Sequence, residues 1–81
     1  MKQTLNIQAI RIYLIKTADQ MVRVSMDDDH VIELSNSIAK LGLLQPIVVE
    51  SMNGGVYQLI AGAHRLAACK RLNWTHIPAN I

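Results

Sequence analysis

The residues best placed to do chemistry are Gly62, Ala63, His64 and Arg65, which stand where an apolar run gives way to a helical pattern. Val56 to Ala61 reads as a strand, apolar enough to suggest burial on both faces, and Ala63 to Leu72 reads as a helix. The first amides of a helix have no internal acceptors, and the dipole adds about half a positive charge there. Such a turn suits an anion, phosphate above all. Gly62 is expected to let an anion approach the backbone with no β-carbon in the way. His64 adds a hydrogen-bond donor, and Arg65 a permanent cation able to grip two phosphate oxygens. At helical spacing His64, Ala68 and Arg71 share a face, so Arg71 is expected to extend the patch. On spacing alone, a glycine followed by His-Arg at a helix start is equally consistent with a surface cap whose charges are solvated.

Charge is distributed to suit the anion reading. The formal net charge is only +2, yet Glu50 is the last acid, and Arg65, Lys70 and Arg71 with His64 and His76 all follow it. That half forms a positive lobe, with Lys70 and Arg71 as candidates for nucleic-acid contact. Other residues have simpler uses. Asp27, Asp28 and Asp29 are consecutive, so their carboxylates diverge, which fits helix capping better than a metal site. His30 and Glu33 read as a solvated helical pair, Trp74 as an anchor of the second helix and, secondarily, a stacking surface for a base. Cys69, the one cysteine, lies well inside that helix and reads as inert packing. No metal ligand set emerges.

Several elements must position the turn. Gln8 to Ile15 alternates as a strand, and Thr17 to Ser25 reads as a connecting loop. A helix capped by Asp27 carries Val31, Leu34, Ile38 and Leu41 as one stripe and closes at Gly42 in a left-handed conformation. Gln45-Pro46 opens a strand from Ile47 to Glu50, and Asn53-Gly54-Gly55 is a hairpin signal leading into the returning strand. Asn73 closes the second helix, and Ile77 to Ile81 reads as a last strand entered through Pro78.

Eighty-one residues accommodate one small domain, here spanning 1–81 and expected to be a fragment or the N-terminal part of a longer protein. Apolar residues make up 51% and charged ones 17%, more apolar surface than so short a chain hides easily, which points to a partner subunit or further chain. No apolar run is long enough for a membrane span, no secretory signal is evident, and a single cysteine rules out an intrachain disulfide. A cytoplasmic location is the expectation.

With these motifs in place, Asp27–Ile81, preceded by Arg23, resembles the N-terminal domain of the ParB/sulfiredoxin superfamily. The resemblance rests on an acid-capped helix ending in Ile38-Ala39-Lys40-Leu41-Gly42-Leu43-Leu44-Gln45-Pro46-Ile47-Val48-Val49. After a glycine hairpin come Tyr57-Gln58-Leu59-Ile60-Ala61-Gly62-Ala63-His64-Arg65-Leu66-Ala67-Ala68 and, last, Trp74-Thr75-His76-Ile77-Pro78-Ala79. It covers roughly two thirds of the chain. It implies an α+β fold, a small mixed sheet packed with two main helices and a phosphate site at a helix N-terminus. In ParB-like proteins it further implies a cytidine nucleotide between the Gly-Leu-Leu-Gln-Pro segment and the glycine–arginine turn. That nucleotide closes a clamp on DNA, and a following helical region reads the partition site. In sulfiredoxin the turn is Gly-Cys-His-Arg and passes ATP phosphate to an oxidised cysteine; a free-serine kinase branch shares the fold.

Residue by residue, the implied nucleotide-binding set is Gly62, Ala63, His64, Arg65, Gln45, Pro46 and Arg23. The implied ligand is a nucleoside triphosphate, CTP or ATP, with or without Mg2+. The implied partners are DNA, through regions outside this chain, and a second copy in a homodimer; no membrane is involved. Partition proteins usually carry Gly-Glu-Arg-Arg at the turn, with the glutamate helping to hold metal. Here Ala63 and His64 replace the middle pair, which argues against metal-assisted hydrolysis and leaves phosphate binding intact. The sulfiredoxin nucleophile would also fall at Ala63, whose methyl has none. A nucleotide-responsive module of a partition, plasmid-maintenance or related regulatory protein is therefore the leading expectation. A phosphoryl-transfer or nuclease-like enzyme and a decayed oligomerisation scaffold are the alternatives.

Overall fold

A computed structural model describes residues 6–17, 28–42 and 45–81. Within them the chain builds a five-stranded sheet and two α-helices. The strands are β1 (Ile7–Arg11), β2 (Ile15–Lys16), β3 (Ile47–Ser51), β4 (Tyr57–Ala61) and β5 (His76–Asn80). The helices are α1 (Asp28–Leu41) and α2 (Ala63–Arg71). The sheet order is β1-β5-β3-β4-β2 and it is mixed: β1 with β5 and β3 with β4 run antiparallel, β3 with β5 and β2 with β4 parallel. This is the expected α+β architecture.

One face of the sheet makes the core. Ile10, Ile47, Val49, Leu59, Ile77 and Ala79 point toward α1 and α2, which contribute Val31, Ile38, Leu66, Ala68 and Cys69. The opposite face is uncovered among the described residues, where Val48 and Ile60 are exposed. The expectation that the fourth strand is buried on both faces is therefore corrected. Its physical reason is alternation in a sheet covered on one face: Leu59 turns into the core, so Ile60 turns outward, at a β-bulge where Val48 pairs with Ala61 and Val49 with Leu59. A bulge sharpens the local bend of a strand, and this one lies two residues before Gly62.

Three further expectations change. The first strand does not run unbroken to Ile15, because a 3-10 turn at Ile12–Leu14 splits it. The Ile12 amide donates to the Thr75 carbonyl (2.9 Å), which carries the β1–β5 register one position past Arg11 and His76 before the chain turns. Leu41 is 65% exposed, so the α1 stripe ends at Ile38, and Ser35 takes a buried place by donating its hydroxyl to the Val31 carbonyl (2.7 Å). Pro78 sits in the middle of β5, facing Ala9 of β1, not at its entrance. The missing N–H is tolerated because the ladder with β3 begins one residue later, at Ala79.

Glycine and asparagine signals perform as expected. Gly42 has φ +80 and its amide donates to the Ile38 carbonyl (2.8 Å), closing α1. Gly54 and Gly55 turn β3 into β4, and Asn73 at φ 63 donates to Lys70 (3.0 Å) to end α2. The Asp27 cap and the loop residues 18–25 lie outside the described residues.

Gly62 is the most constrained glycine. Its φ is +103, and a β-carbon there would lie 2.8 Å from the Cγ2 of Ile47, itself fully buried. Gly62→Ala should therefore cost about 2–3 kcal/mol, the left-handed penalty plus displacement of a core side chain. Urea denaturation reads this directly; a loss under about 0.5 kcal/mol, the size of an ordinary surface substitution, would contradict the packing argument.

Candidate functional site

The bulged end of β4 delivers the chain to Gly62, which stands in the left-handed region and opens α2. The Gly62 carbonyl accepts from the Leu66 amide (2.9 Å), and no side chain caps the helix start. The structure gives a steric reason for the glycine that the sequence did not show. The space a β-carbon would fill is taken by Ile47 and, at 3.2 Å, by Nη2 of Arg65, so close packing of the turn itself requires glycine.

Arg65 folds back over this turn. Its Nη1 donates to the Pro46 carbonyl (2.7 Å) and to the Gln45 carbonyl (3.2 Å). The guanidinium thereby ties the first turn of α2 to the segment entering β3. Among the described residues Arg65 bonds only through Nη1, so Nη2 and Nε, further donors of the fixed fork, are not committed to those carbonyls. His64 is half-buried, and its ring meets that of His30 edge to face, with centroids 4.7 Å apart and planes at 88°. Since His30 is the third residue of α1 and His64 the second of α2, the two helix starts lie side by side.

Their electrostatics differ. The first turn of α1 holds Asp28 and Asp29 at its positive end. That of α2 holds no acid, and carries His64 and Arg65 instead. A helix start with no acid, no side-chain cap and an arginine across it favours an external anion.

Of the residues singled out in sequence, Gly62, Ala63, His64, Arg65, Gln45 and Pro46 come together here. Arg23 lies outside the described residues. Arg71 does not extend the patch: Ala68, between it and His64 on the same helical face, is fully buried, so that face turns into the core and Arg71 emerges only at the last turn. Lys70 stands at the same far end, about 10 Å along the axis at 1.5 Å per residue. His30 was missed. Its place beside His64 is a contact between residues far apart in sequence, and nothing local signals it.

Cys69 is fully buried, and desolvation pushes its thiol up to about 11. It packs in the core, where burial holds the thiol in its protonated form at neutral pH.

Against known proteins, the model of the ParB N-terminal domain matches residues 1–81. The chain belongs to the ParB N-terminal domain family. It is 44% identical over 57 residues to a nucleoid occlusion protein of Lysinibacillus sphaericus (strain C3-41), covering 70% of this chain and 19% of that protein. A nucleoid occlusion protein of Bacillus cereus (strain B4264) is 39% identical over 75 residues, covering 93% and 26%. The chain thus spans about a fifth to a quarter of the length of these relatives. Among solved structures, the C-terminally truncated chromosome-partitioning protein ParB of Caulobacter crescentus complexed with CTP-gamma-S superposes with a TM-score of 0.79 at 29% identity, covering 91% of this chain and 42% of that one. Sulfiredoxin from Arabidopsis thaliana also gives a TM-score of 0.79, at 31% identity, covering 91% and 81%. The ParB N-terminal fold here is therefore the one shared with sulfiredoxin.

In this ParB N-terminal domain, the Cys69 environment makes stability depend on alkaline pH. The unfolded thiol ionises near 9.0 and the folded one only near 11, so the unfolded state gives up its proton first and stability falls across that interval. Cys69→Ala lacks this loss. The stability gap between wild type and variant should narrow as pH rises from 9.0 toward about 11, measured by urea denaturation; a constant gap would contradict it.

Proposed function

We propose that this chain is the nucleotide-binding module of a DNA-associated partition or nucleoid-occlusion-type protein, and that it seats the oligophosphate of CTP or ATP at the start of α2. The observation that carries the reading is the uncapped, acid-free first turn of α2 with the Arg65 guanidinium folded across it. In the reading, the amides of Ala63, His64 and Arg65 face the phosphate, and the uncommitted nitrogens of Arg65 add charge-assisted bonds. Gln45 and Pro46 shape the wall, because Arg65 holds their carbonyls inward. His64 donates from the rim, steadied by the His30 ring. Arg23 is proposed to join from the segment before α1. The CTP-gamma-S complex of the Caulobacter ParB supports a cytidine nucleotide as the first candidate.

The first turn of α2 has no carboxylate, and the described residues hold no cluster of three or more metal-ligating side chains. Mg2+ carried in with the nucleotide would be held mainly by the phosphates and water, with no carboxylate from this turn. A sulfiredoxin-type transfer is not favoured, because Ala63 has no nucleophile and Cys69 is sealed in the core. DNA engagement and homodimerisation are proposed for the whole protein; the Caulobacter ParB complexed to the centromeric parS site supports the former.

Calorimetric titration with each of the four nucleoside triphosphates tests the reading. CTP or ATP should bind saturably, and Arg65→Ala should weaken binding about 30-fold, the ~2 kcal/mol of a charge-assisted bond. Since Arg65 also ties α2 to the β3 entrance, urea denaturation of the variant separates lost binding from lost folding. No heat with any nucleotide, or affinity indifferent to Arg65→Ala in a folded variant, would overturn it.

A further inference from the structure

At the opposite end of α2 from Gly62 lies a cavity of about 490 Å³. Ile12 and Ile15 form its floor, both buried, and Tyr13 and Trp74 supply aromatic walls. Arg11 and Lys70 bring cations from two separate elements, the end of β1 and the last turn of α2. No acid lines it among the described residues. The 3-10 turn that breaks the first strand lines this groove, and the bond from the Ile12 amide to the Thr75 carbonyl joins two of its lining segments. Tyr13 is 76% exposed, and its ring stands 6.0 Å from the Arg11 guanidinium carbon.

We propose that this groove binds a short acidic peptide segment in which an aliphatic or aromatic side chain is flanked by carboxylates. The volume falls within the range of small-ligand pockets, about 300–1,000 Å³. An apolar floor with aromatic walls selects an apolar side chain, and a rim of two cations selects carboxylates next to it. The chemistry disfavours the other anionic partner. Single-stranded nucleic acid brings a phosphate at every nucleotide and needs cations along its whole path with successive stacking surfaces. Two cations and two aromatic rings gathered in one pocket with an apolar floor give no such track along a backbone.

Trp74 is the only tryptophan in the chain, so its fluorescence reports on the groove alone. The probe is a capped peptide, Asp-Glu-Leu-Asp-Glu, with two controls: Asn-Gln-Leu-Asn-Gln, which lacks charge, and Asp-Glu-Gly-Asp-Glu, which lacks the apolar side chain. An oligothymidylate serves as the nucleic-acid arm. The acidic leucine peptide should change Trp74 emission saturably, and each control should bind about tenfold more weakly, a loss of about 1.4 kcal/mol. The double variant Arg11→Gln/Lys70→Gln, both surface changes, should lose about tenfold for the leucine peptide while its circular dichroism stays unchanged. No emission change with the leucine peptide, equal binding of the neutral peptide, or tighter binding of the oligothymidylate would each overturn the proposal.

Discussion

Everything at the upper end of α2 depends on one crowded junction, where Gly62 meets Ile47 and Arg65 reaches past both to the Pro46 carbonyl. The contact is tight: the site a β-carbon would occupy is 2.8 Å from Ile47 Cγ2. Because Ile47 is fully buried, the turn cannot relax by moving that side chain outward. The left-handed backbone at Gly62 and the bulge just before it are how β4 turns into α2 inside this limit. Arg65 then locks the arrangement from outside, with one nitrogen spanning two successive carbonyls. A guanidinium held this way is pre-oriented, so little side-chain freedom remains to be lost if an anion arrives.

Electrostatics follows from the same geometry. Bringing the starts of α1 and α2 together at His30 and His64 sets two positive dipole ends side by side. Asp28 and Asp29 offset the first. The second has His64 and Arg65 where acids would normally sit, which is unfavourable for an isolated helix and favourable for a helix that holds an anion. At its other end, α2 presents Lys70 and Arg71 to the negative pole. The helix is thus cationic at both ends, with a buried middle at Leu66, Ala68 and Cys69, and its two ends face different surroundings.

What could be read in the sequence was whatever local chemistry decides. The hairpin at Gly54 and Gly55, the closure of α1 at Gly42 and of α2 at Asn73 each follow from a backbone conformation that few residues adopt. The glycine–arginine turn was legible for the same reason, together with the order of the motifs around it. What was hidden depends on long-range partners. A 3-10 turn interrupts the first strand just past its in-register bond to Thr75, and Ile60 faces outward because no described element covers that side of the sheet. The packing demand on Gly62 was hidden because Ile47, fifteen positions away, lies against its β-carbon site. His30 looked like a solvated neighbour of Glu33 because α1 and α2 meet only in the fold.

The central claim is that the first amides of α2, with Arg65 beside them, form a seat for oligophosphate. Titrating the 15N-labelled domain with inorganic triphosphate and following its amide resonances tests that claim without involving any base or partner. The account predicts that Ala63, His64 and Arg65 shift most, together with the Arg65 Nε signal. If those resonances stay in place while triphosphate moves others, or moves none, the seat is not where the geometry puts it.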